Sequence, residues 1–216
     1  MEWRVCCACA ARSAERYSRV LTPSATRSML RRFVRHRLGS NLEVLMEKAT
    51  VDAPTVLVRA AGEGPATWAM GSLFERLASA EETGGAFGMS LVTQPPGIAT
   101  PLHVHTREAE AFYLLDGTLS YRAGDDVYHL TAGSFIYLPQ GVPHAFRVTG
   151  TSPVRLVAIV APGGLMGLYD EVGVPALERR VPGADGLSFD EEVRRWNEVG
   201  PRYGLQVVGP PIPPAE

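Results

Sequence analysis

From Thr100 to Val160 apolar and polar residues alternate in short runs separated by turn-forming residues. The runs are Pro101–His105, Ala109–Leu115, Thr118–Ala123, Val127–Leu130, Phe135–Leu138, Ala145–Thr149 and Val154–Ala161. Asp116-Gly117, Gly124-Asp125, Ala132-Gly133, Pro139-Gln140-Gly141 and Gly150 punctuate them. Period-two alternation in short segments predicts antiparallel strands of an all-β sandwich or barrel. Asp116-Gly117 is expected to be a tight hairpin turn, because both residues tolerate positive φ. Upstream, Thr55–Arg59 is a β-branched run expected to be the first strand, and Ala60–Pro65 is a loop. Thr83-Gly84-Gly85 turns into a further strand over Ala86–Thr93. Trp68–Ser79 fits two patterns. Leu73, Phe74, Leu77 and Ala78 suit a helix, while Leu73, Glu75 and Leu77 alternate as in a strand.

The pattern changes after Ala161. Pro162-Gly163-Gly164 breaks the last run, and Leu165–Val172 is expected to be a short helix over the strands. Pro175–Leu187 reads as loop. Ser188-Phe-Asp-Glu191 has the form of a capping box, and Phe189, Val193, Trp196 and Val199 make a helical stripe that Gly200-Pro201 ends. Pro210–Pro214 reads as a terminal tail. Residues 162–216 are thus expected to be a helical segment with a Pro-rich tail, laid on a strand-rich domain of residues 46–161 whose core is 86–161.

Composition adds bounds. The chain has 216 residues, 45% of them hydrophobic, enough for one sizeable core. A net charge of −2 gives no reason to expect a nucleic-acid partner. No run approaches the ~18 apolar residues of a membrane span. Residues 1–45 stand apart, with nine arginines and three glutamates for a local charge of +6, whereas the rest carries −8. Arg27–Leu38 has the pattern of a short basic helix. A targeting peptide, a nucleic-acid-binding arm and an extension upstream of a start at Met46 all fit, and the last is favoured, with the extension outside the fold and disordered. Cys6, Cys7 and Cys9 all lie there, so the strand-rich part has no disulfide framework. This fits a cytoplasmic protein.

The candidate chemistry lies in two stretches. Between Gly97 and Gly117 come His103, His105 and Glu110, and between Gly133 and His144 come Pro139, Gly141 and His144. His103 and His105 point the same way on a strand, and Glu110 shares a face with Phe112 and Leu114. Three imidazoles and one carboxylate suit one divalent ion: iron, nickel, manganese or copper, with zinc a further option. Four protein ligands would leave positions open. The expected pocket is lined by Met89, Phe112, Leu114, Tyr137, Phe146 and Val148. His129 is expected to face outward in a hydrogen bond, and Glu108 to be solvated or to support the site without ligation.

On these residues the chain resembles the cupin superfamily. Its first motif, Gly-x5-His-x-His-x4-Glu-x6-Gly, matches at every specified position from Gly97 to Gly117. Its second, Gly-x5-Pro-x-Gly-x2-His-x3-Asn, matches from Gly133 through His144, and Val148 stands in place of Asn. The resemblance implies a single cupin jelly-roll β-barrel, with Trp68–Ser79 as strand. It assigns metal ligation to His103, His105, Glu110 and His144 and implies a homodimer. Pro162-Gly163-Gly164 and the ending Tyr203–Pro211 resemble small cupins grouped with quercetin dioxygenases. The implied function is a dioxygenase acting with O2 on an aromatic or flavonol-like small molecule, with Glu110 as catalytic base. A non-enzymatic small-molecule-binding protein and a redox-neutral isomerase or cyclase are the alternatives.

Overall fold

The computed structural model describes residues 56–214. The expectations for residues 1–45, for a start at Met46 and for Thr55 lie outside the described residues. Among the described residues twelve strands build two sheets. They are β1 Ala66–Ala69, β2 Ser72–Ala78, β3 Gly88–Gln94, β4 Leu102–His105, β5 Ala109–Asp116, β6 Thr118–Ala123, β7 Asp126–Thr131, β8 Phe135–Leu138, β9 His144–Val148, β10 Val154–Ala161, β11 Val174–Pro175 and β12 Leu205–Gly209. One sheet runs β11-β1-β2-β3-β10-β5-β8, the other β12-β4-β9-β6-β7. The inward rows meet in one core that includes Val92, Leu114, Leu119, Val148 and Leu156. The result is an all-β jelly-roll of two facing sheets. This is the expected jelly-roll, with its two sheets not closed into a continuous barrel, since each keeps free edges.

Three expectations change. Asp116-Gly117 is no hairpin: β5 pairs with β10 and β8, β6 with β7 and β9, so the turn carries the chain from one sheet to the other. Gly117 has φ +82°, and a Cβ there would sit 2.8 Å from Val154 Cγ2 and 2.9 Å from the Pro153 carbonyl oxygen. The expected strand over Thr55–Arg59 is absent from its described part. Val56 is 85% exposed, and the edge of β1 is already taken by β11. Trp68–Ser79 is neither one helix nor one strand. It spans the β1–β2 hairpin, which reverses at Met70 (φ 49°) and Gly71 (φ 66°). Two consecutive positive φ values match the twist that two-residue hairpins require.

The C-terminal segment is woven in rather than laid on. It supplies β11 to one sheet and β12 to the other. Helix α1 Met166–Val172 precedes β11, and helix α2 Phe189–Val199 lies between β11 and β12. The Ser188 hydroxyl accepts a hydrogen bond from the Glu191 amide at 3.3 Å and caps α2 as expected. Asp170 of α1 ties to Arg76 of β2 at 2.7 Å, and the buried Glu192 of α2 accepts from the Gly71 amide at 3.1 Å. No helix among the described residues is long and apolar enough to cross a membrane.

Candidate metal centre

The site lies between the sheets. His103 and His105 alternate with half-buried Leu102 and Val104 on β4, so both imidazoles point inward. His144 opens β9 directly opposite His103. The Pro139-Gln140-Gly141 turn sets that distance, because the Gly141 amide donates to the His105 carbonyl at 2.9 Å. Glu110 comes from β5 in the other sheet. Its Oε2 is 3.3 Å from His144 Nε2. All four side chains are buried.

One nitrogen of each of the three imidazoles lies within 4.8 Å of the others, a spacing that suits ligands of one ion. The backbone orients two of the rings. His103 Nδ1 is 2.7 Å from the Pro101 carbonyl, and His144 Nδ1 is 2.8 Å from the Val142 carbonyl. A carbonyl only accepts, so each Nδ1 carries the proton and each Nε2 keeps its lone pair. This arrangement fixes tautomer and ring angle in metal-binding histidines. His144 Nε2 and both nitrogens of His105 are buried without a hydrogen-bond partner. Such orphaned polar atoms are costly unless something fills their coordination. The residues therefore fit a divalent cation. Glu110 supplies the one buried carboxylate in direct contact with the cluster.

Electrostatics point the same way. Burial, aided by the positive charge on His144 and His105, pushes His103 down to about 3. Burial also lowers His105. Burial alone would raise Glu110, but the surrounding imidazoles outweigh it and hold the carboxyl low. His144 is pushed down by burial, and its contact with Glu110 more than reverses that. His103 and His105 are thus set to stay neutral beside an ionised Glu110, the protonation states a metal needs, whereas the carboxylate favours the charged form of His144.

The pocket expectation divides. Phe112, Leu114, Phe146 and Val148 face the interior. Met89 and Tyr137 do not. The inward residues of β3 are Gly88, Ser90, Val92 and Gln94, so Met89 lies on the opposite face. Tyr137 is 59% exposed on the outer face of β8, beside Tyr113 and Phe135. The inward phase on β8 belongs to Leu138, one residue away, and a one-residue offset reverses the face. His129 is exposed, with Nδ1 3.0 Å from the Ser120 hydroxyl. Glu108 is buried, with Oε2 unpartnered and its carboxyl raised by burial.

Three aromatic residues near the site had not been singled out for it. Tyr121 of β6 stacks with His144 at 6.1 Å and sits between Phe112 and Phe146. Trp196 of α2 meets His103 edge-on at 6.4 Å. Tyr169 of α1 lies against Trp196 and stacks on Phe74 at 4.1 Å. The alternation of Leu119 and Tyr121 with polar neighbours was the available signal for Tyr121. Trp196 and Tyr169 come from helices whose docking no local pattern gives.

Residues 90–160 match the family pattern of the cupin domain. These residues form a cupin domain. The match runs from β3 through β10 and contains all four clustered side chains. Over 99 residues, 46% of this chain, the protein is 33% identical to quercetin 2,3-dioxygenase of Bacillus subtilis, of which the match covers 29%. It is 28% identical over 117 residues to the xanthan biosynthesis protein XanB of Xanthomonas campestris, covering 53% of this chain and 25% of that one. The aligned stretches thus span only 29% and 25% of the length of these curated relatives. Among solved structures, ectoine synthase from P. lautus aligns with TM-score 0.47 at 21% identity, over 62% of this chain and 97% of that one. The cupin domain of Schizosaccharomyces pombe Cnp3 aligns with TM-score 0.40 at 18% identity, over 53% and 74%.

Proposed function

We propose that this protein is a mononuclear metal-dependent dioxygenase acting on an aromatic, flavonol-like small molecule. The observation that carries the reading is the buried cluster of His103, His105 and His144 with Glu110 against it. The stretch shared with quercetin 2,3-dioxygenase and the apolar wall of Phe112 and Phe146 support it. The three imidazoles and Glu110 would hold the ion, which supplies Lewis acidity toward a substrate hydroxyl and lets dioxygen react with an electron-rich ring. Glu110 accepts the hydroxyl proton. Its carboxyl is held low by the imidazoles, so it is ionised and ready to accept at neutral pH. Phe112 and Phe146 exclude water and favour a flat apolar ring over a sugar phosphate. Both atoms of dioxygen enter the product, so no external reductant is required.

The test is oxygen uptake with quercetin by protein loaded in turn with iron, nickel, manganese and copper. Uptake with at least one metal, abolished in Glu110→Gln, is the expected result. Full uptake by Glu110→Gln excludes the base role. Ligand binding without uptake under any metal replaces the reading with a binding protein. Turnover with zinc in the absence of oxygen replaces it with an isomerase or cyclase.

A further inference from the structure

The outer face of the seven-stranded sheet is apolar where polar residues are expected. An antiparallel sheet that meets water on one side alternates apolar-inward with polar-outward residues. The other sheet follows this rule, with Ser120, Arg122 and Arg147 on the outer side of β6 and β9. Strands β3, β10, β5 and β8 break it. Register partners share a face, so Leu91, Val157, Tyr113 and Phe135 form one outward row across these four strands. Met89, Ile159, Ala111 and Tyr137 form the next. None of the eight is buried, and Tyr113, Phe135 and Tyr137 are 46%, 61% and 59% exposed.

The chain covers the adjoining part of the same face by itself. On β1 and β2, Trp68 and its register partner Leu73 are buried. The Trp68 indole donates to the Arg180 carbonyl at 2.7 Å, and the Arg180 guanidinium stands 5.2 Å over its ring. Arg179 pairs with Glu75 at 2.7 Å, at the end of the first row. Among the described residues that cover stops there, and the two rows stay half-buried or exposed.

Size and composition choose the occupant. Leu115 on β5 and Ala161 on β10 extend the rows at either end, and four strands at about 4.8 Å spacing make the patch about 19 Å by 20 Å, roughly 400 Å². A rim one residue wide brings it to about 800 Å², the share of one partner in a standard interface. Met, Tyr and Phe are enriched and charged residues depleted at the centres of such interfaces, and neither row carries a charge between its ends. A flat sheet face has its complement in another flat sheet face packed about 10 Å away.

We propose that this face is the interface of a two-fold homodimer, in which β3, β10, β5 and β8 pack on the same strands of a second copy. A two-fold interface uses one self-complementary patch on both chains, as this uncharged patch allows. Because β5 turns Glu110 inward and Ala111 and Tyr113 outward, the second copy backs the strand that carries the carboxylate of the histidine cluster.

Sedimentation equilibrium of the full chain tests this. Wild type should hold two chains per particle at micromolar concentration. The double variant Phe135→Glu, Tyr137→Glu should dissociate at least about tenfold more readily, while Val127→Glu on the outer side of β7 should assemble as wild type does. Hydroxyl-radical labelling of wild type gives a second reading that needs no variant. Tyr113 and Tyr137 should be labelled less at concentrations where the dimer forms, and the exposed Tyr128 of β7 should not change. A monomeric wild type overturns the proposal, whether the face is bare or covered by another part of the chain. A dimer that protects Tyr128 rather than Tyr113 and Tyr137, or that a folded double variant forms equally well, also overturns it by placing the interface elsewhere.

Discussion

Trp196 stands edge-on to His103, with ring centroids 6.4 Å apart and planes at 89°. The tryptophan comes from α2 near the end of the chain and the histidine from the first metal-motif strand, so the C-terminal segment forms one wall of the site. Its second tie is β12, which pairs Leu205 with His105 and Val207 with His103. Chain beyond the cupin-domain match thus braces the strand that carries two of the imidazoles.

Loosening that wall should speed exchange of the bound ion. Trp196→Leu keeps an apolar side chain but removes the indole edge from His103. It should cost about 1–3 kcal/mol of stability. Chelator extraction from the metal-loaded variant should be several-fold faster than from wild type. Equal extraction rates would show that Trp196 does not shield the cluster.

Acid should weaken the metal-free fold through the histidines. His103 falls to about 3 in the fold from an ordinary value of 6.5, so it stabilises the neutral form above 6.5 and loses that contribution as pH falls toward 3. His105 acts in the same direction. Glu110, held low, is lost in acid as well, below its ordinary value of 4.5. His144 is raised and opposes the trend, its contribution being present in acid and lost as pH rises through its folded value. One fully coupled group gives at most about 1.4 kcal/mol per pH unit. Urea midpoints of metal-free wild type should fall between pH 7 and pH 5, and His103→Asn should flatten that slope. An unchanged slope in the variant would show that His103 is not held neutral by burial.

Glu192 should matter to stability although it lies far from the metal motifs in sequence. It is buried and accepts from the amide of Gly71, in a hairpin turn where both central residues have positive φ. Replacing it with alanine leaves that half-buried amide without its acceptor, at a cost of about 1–2 kcal/mol. A lowered Tm in Glu192→Ala, partly restored in Glu192→Gln, is expected. No change in either variant would mean that the turn holds itself.

Much of this was legible in the sequence where chemistry is local. Alternation located β4 through β10 to within a residue or two, and His-x-His on a strand required both rings on one face. The capping box placed α2. What alternation could not supply was partnership between distant segments. Asp116-Gly117 has the residues of a hairpin turn, yet the strands it joins lie in different sheets. The run Leu205–Gly209 is β-branched and bounded by Gly204 and Pro210, a strand signal, but its partner is about a hundred residues earlier. Val56–Arg59 carries an equally good strand pattern and finds no partner among the described residues, where β11 holds the place beside β1. Tyr137 shows the remaining difficulty: a face assigned one residue out of phase turns a pocket residue into a surface one.

On the proposed function, His103, His105, Glu110 and His144 together hold one divalent ion. Elemental analysis of the chain, produced without a polyhistidine tag in medium supplied with iron, nickel, manganese, copper and zinc, tests it most directly. Close to one ion per chain is expected in wild type, with its loss in His105→Ala and His144→Ala variants that remain folded by circular dichroism. Metal-free wild type under all conditions, or an equal metal content in wild type and both variants, would contradict it.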